Sequence, residues 1–432
     1  MKNKALLYVL QIIFILLSAV NPCYAESSTL SGDVKIEFEP GIPAFSLMSE
    51  VAITKDWAYE QTEFSALPLF NLTGKGVRVG IIDSGVSPHQ DIPSEKIVAQ
   101  KSFATDNNDV IDGVSSGGHG TSVAALIVGS GKIGEGAKGI APDAELVNVR
   151  IINSDGSIPT SAVADAIDYC VEMECDVINM SFGTMNEIAD YTKVSTIMKW
   201  NDSIQNAISK GCIVIAAAGN YGVAGSERDF VVYPAGLPNV IGVGATTAEG
   251  TINAFSQKNE SVFVAAPGKR VYTAVNTSET SYAYVSGTSF AAPIVSGIAA
   301  LIKEAYPDAT QKDVRDILTK TVTDFGADGY DYSFGHGVIN GKNLAKNLRN
   351  SDFYAYFDKD GKAFAANIGD DREVLSYIAT YSGGRNTDVS DASFSLDSMT
   401  RKELEAPENV SIKRFFWLAD NLFPLCAHLD YN

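Results

Sequence analysis

From Val77 onward, short apolar runs alternate with stretches of helical spacing. The runs VRVGIID (77–83), AELVNVRI (144–151), DVINMS (176–181), CIVIAAAG (212–219), NVIGVGA (239–245) and SVFVAAP (261–267) are rich in β-branched and small residues. They are almost continuously apolar, as strands are when both faces of their sheet are covered. Helical spacing predicts helices over His119–Val128, Ser161–Glu172 and Trp200–Lys210. Strands alternating with helices imply a parallel sheet with helices on both faces, where sites form at the carboxyl ends of strands. A further helix is expected in YVSGTSFAAPIVSGIAALIKEAYPD (284–308). Its apolar stretch, Ile294 to Ile302, is too short to cross a bilayer and is read as core. Gly287, Thr288 and Ser289 form its mouth, with Pro293 near the first turn. A hydroxyl there is either a simple cap or a group placed where free N–H donors favour a developing anion.

The ends read differently. MKNKALLYVLQIIFILLSAVNPCYAES predicts a secretory signal over 1–25, ending at Ala25, rather than a membrane anchor. Residues 26–55 form a mixed, polar extension broken by Pro40, Gly41 and Pro43. No later segment is long and apolar enough to span a membrane. With 33 basic and 52 acidic side chains the chain carries −19, and losing Lys2 and Lys4 with the signal makes this 31 − 52 = −21. Such a charge disfavours nucleic acid and anionic lipid as partners. Cys170, Cys175, Cys212 and Cys426 would remain, in a chain whose export permits disulfides.

Polar residues stand where buried elements meet their mouths. VRVGIIDSGV ends its strand at Asp83, CIVIAAAGN ends at Asn220, and GGHGTSVAALIVG opens a helix with His119. Singly, Asp83 is a turn cap, Asn220 a turn residue and His119 a satisfied core histidine. Together with Ser289 they form a constellation, and with only four histidines in the chain a base has few rivals.

IIDSGV, GHGTSVA, INMSFG, AAAGN and GTSFAAP, in that order, resemble the subtilisin-like serine peptidases, the subtilases, from about Trp57 to Leu348. The resemblance implies a three-layer α/β/α fold with a mostly parallel central sheet over 56–350, and a small β-containing region over 351–432. It implies Ser289 as nucleophile, His119 as base, Asp83 as the carboxylate that orients the base, and Asn220 with the Ser289 N–H as oxyanion donors. No cofactor is required for that chemistry. Substrate, a protein or peptide, would lie as an extended strand between Gly156–Ser157–Ile158 and Ser181–Phe182–Gly183. The pocket for the side chain before the scissile bond would be walled by Ser181–Gly183 and Ala217–Asn220. In FVVYPAG, Val232 falls at its floor where many subtilisins have glycine, which implies a preference for small or medium apolar residues. Family topology makes the strands of Cys175 and Cys212 neighbours, so these two are candidates for a bridge. A local Cys170–Cys175 bridge is the alternative.

Three departures stand out. Between Ala25 and Trp57 there is little room for the family's prodomain. At the family's strong calcium loop Asp91 is matched, but Ile133 replaces an asparagine in GKIGEGAKGIAP, so structural calcium stays an open expectation. TDNNDVIDG holds Asp106, Asp109 and Asp112, read either as a calcium-binding loop or as a solvated turn. Beyond the resemblance, FYAYFDKDGKAFAANIG reads as a hairpin around an Asp-Gly turn, and the chain ends in an aromatic and leucine cluster. That tail either packs on the catalytic domain or docks a carrier, as a narrow-specificity toxin subunit would. A non-catalytic binding protein on the same fold is the alternative from outside the enzymes.

Overall fold

A computed structural model describes residues 53–431, apart from 114–117, 132–135, 160, 186–190, 224, 383–384, 406–410, 420–423 and 427. The signal segment, nearly all of the 26–55 extension and Ile133 lie outside the described residues.

The centre is a seven-stranded sheet of β1 (Arg78–Asp83), β2 (Ile97–Ser102), β3 (Glu145–Arg150), β4 (Val177–Met180), β5 (Ile213–Ala217), β6 (Ile241–Thr246) and β7 (Val262–Pro267). Its order is β2-β3-β1-β4-β5-β6-β7, and every neighbouring pair is parallel. The chain runs outward from β1 to one edge, returns through β4 and continues to the other. The sheet's switch point is therefore at the carboxyl end of β1, where Asp83 stands.

Period-two alternation explains the three layers. In β5, Ile213, Ile215 and Ala217 enter one apolar cluster, while Val214 and Ala216 enter another. The first cluster holds the helices α1 (His119–Val128) and α4 (Thr288–Ala305), and the second holds α2 (Ala162–Glu172) and α3 (Tyr191–Ser209). Helix α4 has the length and hydropathy of a membrane-crossing segment, but 89% of it is buried inside the protein. Helix α3 extends nine residues further toward the N-terminus than the spacing from Trp200 predicts. Its buried positions Ile197, Trp200, Ile204 and Ala207 form a regular helical stripe, whereas Val194 and Met198 face solvent. Helices α5 (Gln311–Thr321) and α6 (Gly341–Arg349) complete the first layer.

Past residue 350 the chain turns to antiparallel β-structure. Phe353–Phe357 and Ala363–Asn367 form a hairpin across the Asp358–Gly361 turn, and Thr400–Leu404 adds a third strand. A second sheet runs Arg385–Leu396, Arg372–Ser382, Ser411–Leu418, Leu429–Tyr431. Phe353, Ala355, Ala363 and Ala365 face this sheet in a separate core with Val374 and Phe416. On the other face, Tyr356, Phe364 and Ala366 join the main core. Tyr354 lies 5.8 Å from Phe70, with the Arg349 guanidinium 4.6 Å above its ring.

Cys170, Cys175 and Cys212 meet under β1, where a Cβ on Gly80 would fall 2.6 Å from the Cys170 sulfur. Neither expected bridge forms. The three remain buried thiols, with Cys170 hydrogen-bonded to Cys175. Burial pushes the Cys212 thiol up to about 12.

Candidate active site

Asp83 ends β1 with its carboxylate 1% exposed. Its Oδ1 accepts from His119 Nδ1 at 2.8 Å and from the Ser84 N–H at 2.7 Å. His119 is the first residue of α1, and the glycines around it explain the GHG motif. Gly118 has φ 84°, and a Cβ on it would strike Asn276. A Cβ on Gly120 would collide with the Gly85 carbonyl, so only glycine lets the helix mouth approach β1 this closely.

A second carboxylate supports the first. The Ser84 hydroxyl lies 2.9 Å from Asp112 Oδ1 and 3.2 Å from Asp83 Oδ1, and it accepts from the Gly120 N–H. Asp112 Oδ2 accepts from the Thr121 N–H and hydroxyl. Burial raises the Asp112 carboxyl above the usual carboxylate range. The three aspartates of TDNNDVIDG have separate partners. Asp112 turns inward to the site, Asp106 pairs with Arg150 at 3.0 Å, and Asp109 caps the Ile111 N–H.

Of the other histidines, His89 accepts from the Asp91 N–H and bonds the Ser281 carbonyl, so both of its ring nitrogens are used. His336 packs on Phe263, and His428 lies in the C-terminal region beside Asp430. Among the described residues only His119 is joined to a buried carboxylate.

Ser289 is the second residue of α4, 7% exposed. The neighbouring Phe290 ring lies 5.0 Å from the His119 imidazole. Pro293 is the sixth residue of this helix, just past its first turn. It has no N–H for the Ser289 carbonyl. Ser181 supplies the missing donor, its hydroxyl 2.8 Å from the Ser289 oxygen. Ser181 in turn accepts from Asn179, which accepts from Ser296, so a buried polar chain ties α4 to β4.

Asn220 Oδ1 accepts from the Thr288 N–H at 2.8 Å and the Thr288 hydroxyl at 2.9 Å. The Thr288 hydroxyl also accepts from the Gly219 N–H. An N–H on Oδ1 fixes which side of the amide is oxygen, so the Asn220 NH₂ is the side presented away from Thr288.

Ser181, Phe182, Gly183, Ala217, Asn220 and Val232 line a pocket beside Ser289 with a free volume of about 30 Å³. Val232 is wholly buried between its walls, and a Cβ on Gly219 would fall 2.7 Å from its Cγ2. Gly156 and Ser157 do not line this pocket. They form a tight turn in which the Asn153 N–H donates to the Ser157 carbonyl.

At the position expected to hold calcium only part of the loop is described, since residues 132–135 lie outside the described residues. Asp91 is fully buried, and its oxygens accept from the Ser130 hydroxyl, the Ala137 N–H at 2.7 Å and the Tyr282 hydroxyl at 2.7 Å.

The sequence model of the subtilase family matches residues 74–337. The chain belongs to the subtilase family. It is 36% identical over 268 residues to subtilisin DY of Bacillus licheniformis, a match covering 62% of this chain and 90% of that protein. It is 32% identical over 299 residues to the minor extracellular protease Epr of Bacillus subtilis, covering 68% of this chain but only 43% of that one. A solved protease structure from Pseudoalteromonas arctica aligns with a TM-score of 0.57 and 26% identity, over 68% of this chain and 97% of the other. This subtilase is by its family a serine endopeptidase. Its motifs pointed to Asp83, His119, Asn220 and Ser289, but the supporting parts played by Ser84, Asp112 and Thr288 went unread.

Proposed function

We propose that this subtilase is a secreted endopeptidase that cleaves peptide bonds through Ser289, His119 and Asp83. The observation that carries the reading is the buried 2.8 Å pair of Asp83 and His119, with the ring of Phe290, next to Ser289, packed on the imidazole. The Ser289 oxygen bonds to the substrate carbonyl carbon while its proton passes to His119 Nε2. Asp83 holds Nδ1–H and stabilises the imidazolium. The carbonyl electron pair moves to oxygen, where the Asn220 NH₂ and the Ser289 N–H receive it. Collapse breaks the C–N bond, and His119 returns the proton to the leaving amine. Water repeats the sequence on the acyl-enzyme, releasing a carboxylate and restoring Ser289. No metal or organic cofactor takes part in any step. Export follows from the signal read over residues 1–25 and accords with an extracellular relative. The decisive experiment is a serine-directed phosphonate. It should label Ser289 covalently, and Ser289→Ala should lose both labelling and proteolysis. Full peptidase activity in Ser289→Ala would overturn the assignment.

A further inference from the structure

The two-residue strand Val232–Tyr233 has a different cavity on each side. Val232 lines the small pocket beside Ser289. Tyr233 lines a second cavity with a free volume of about 380 Å³. Leu237, Pro238, Phe263 and Tyr330 give that second space an apolar and aromatic part, within a surface that is on balance more polar than apolar.

One cation enters this space. Arg315, from α5, lies half-buried with its guanidinium 3.9 Å from the centre of the Phe263 ring. Its Nη1 donates to the Val240 carbonyl at 3.2 Å and more weakly to that of Asn239. Among the described residues it makes no ion pair, in a chain with 52 acidic side chains. Asp316, the next residue, is the carboxylate whose charge acts on Arg315, but it pairs with Lys312, and Glu260, which lines the cavity, is held by Arg228 at 2.6 Å. His336, which packs on Phe263 and also lines the cavity, has its pKa lowered by burial and by the Arg315 charge, which disfavours a second positive charge there. Burial likewise disfavours the charge on Arg315 itself. A half-desolvated guanidinium beside aromatic surface is complemented by a planar carboxylate carried on an apolar body.

We propose that this cavity binds organic carboxylates with an apolar or aromatic body, the carboxylate on Arg315 and the body against Phe263, Leu237 and Tyr330. Two sources share that chemistry: a free aromatic acid, and the C-terminal carboxylate of a peptide. The site is independent of the catalytic reading, and phosphonate-blocked protein keeps the active site out of the measurement.

Titration calorimetry on the blocked protein would compare 3-phenylpropionate with its neutral amide, and N-acetyl-alanyl-phenylalanine with its amide. The acids should bind and the amides should bind at least about ten-fold more weakly, the value of a charge-assisted hydrogen bond. Arg315→Gln should lose that preference, and Arg315→Lys should keep part of it. Preference for only one of the two acids identifies the source. Equal binding of acid and amide, no binding of either acid, or unchanged binding in a folded Arg315→Gln protein overturns the proposal. Thermal unfolding of each variant establishes that it is folded.

Discussion

Replacing Val232 by glycine tests the account of the specificity pocket most directly. The side chain is wholly buried, wedged against Gly183 and Gly219, and the pocket it floors has a free volume of about 30 Å³. Val232 makes that space shallower than a glycine at its floor would leave it. An aromatic residue before the scissile bond must therefore displace the valine or stay partly outside. Overpacking a fitted space costs about 1–3 kcal/mol. At about 1.4 kcal/mol per factor of ten, that is roughly a five- to hundred-fold loss in kcat/KM for Phe relative to Ala or Leu. The wild type should prefer Ala or Leu, Val232→Gly should move the ratio toward Phe by this factor, and Val232→Ala should fall between. The substitution also removes core contacts, so its stability should fall by about 2–4 kcal/mol. The assay is kcat/KM on peptides differing only at that residue, well below the melting temperature and normalised by active-site titration with the phosphonate. A wild-type preference for Phe that is unchanged in Val232→Gly would refute the reasoning.

Other outcomes follow from the rest of the molecule. A chain ending at Asn350 would uncover the main-core surface now covered by Tyr356, Phe364 and Ala366. It should melt well below the full chain in thermal unfolding, and an unchanged melting temperature would make residues 351–432 energetically separate. The Cys212 thiol is raised to about 12, so its contribution to stability is complete below its ordinary value near 9 and is lost as the pH rises through 12. Cys212→Ala should flatten the alkaline limb of stability between those values in denaturant titrations at stepped pH. Because the Asp91 oxygens are held by three protein donors, chelation of calcium should leave melting temperature and activity unchanged. A fall in either on adding chelator, reversed by calcium, contradicts that reading.

The layered sheet was readable because both faces of its strands are apolar, and α1 was readable because no polar residue interrupts it after Ser122. Asp83, His119, Asn220 and Ser289 were readable because each sits in a short motif at the end of an element. What went unread was held together by contacts between distant parts of the chain. Thr288 reaches Asn220 and Ser181 reaches Ser289 across the fold, and nothing in their local patterns marks this. Asp112 was not legible as a buried group because an aspartate among aspartates reads as a solvated turn or a cation loop, while its inward turn depends on Ser84 and Thr121. Helix α5 did leave a local signal that was passed over: Thr310 and Asp313 form a reciprocal capping box at its start.

Pro293 removes one rung from the helix that carries Ser289, the proposed nucleophile, and the replacement rung is a residue that also walls the pocket beside it. The segment that feels the size of the substrate side chain and the backbone that carries the attacking oxygen are thus bolted to one another. A side chain that forces Ser181–Gly183 outward pulls on Ser289 directly, with no flexible loop between them to absorb the movement. Poorly fitting substrates should therefore lose ground in turnover as well as in binding, and discrimination at this pocket should be visible in kcat.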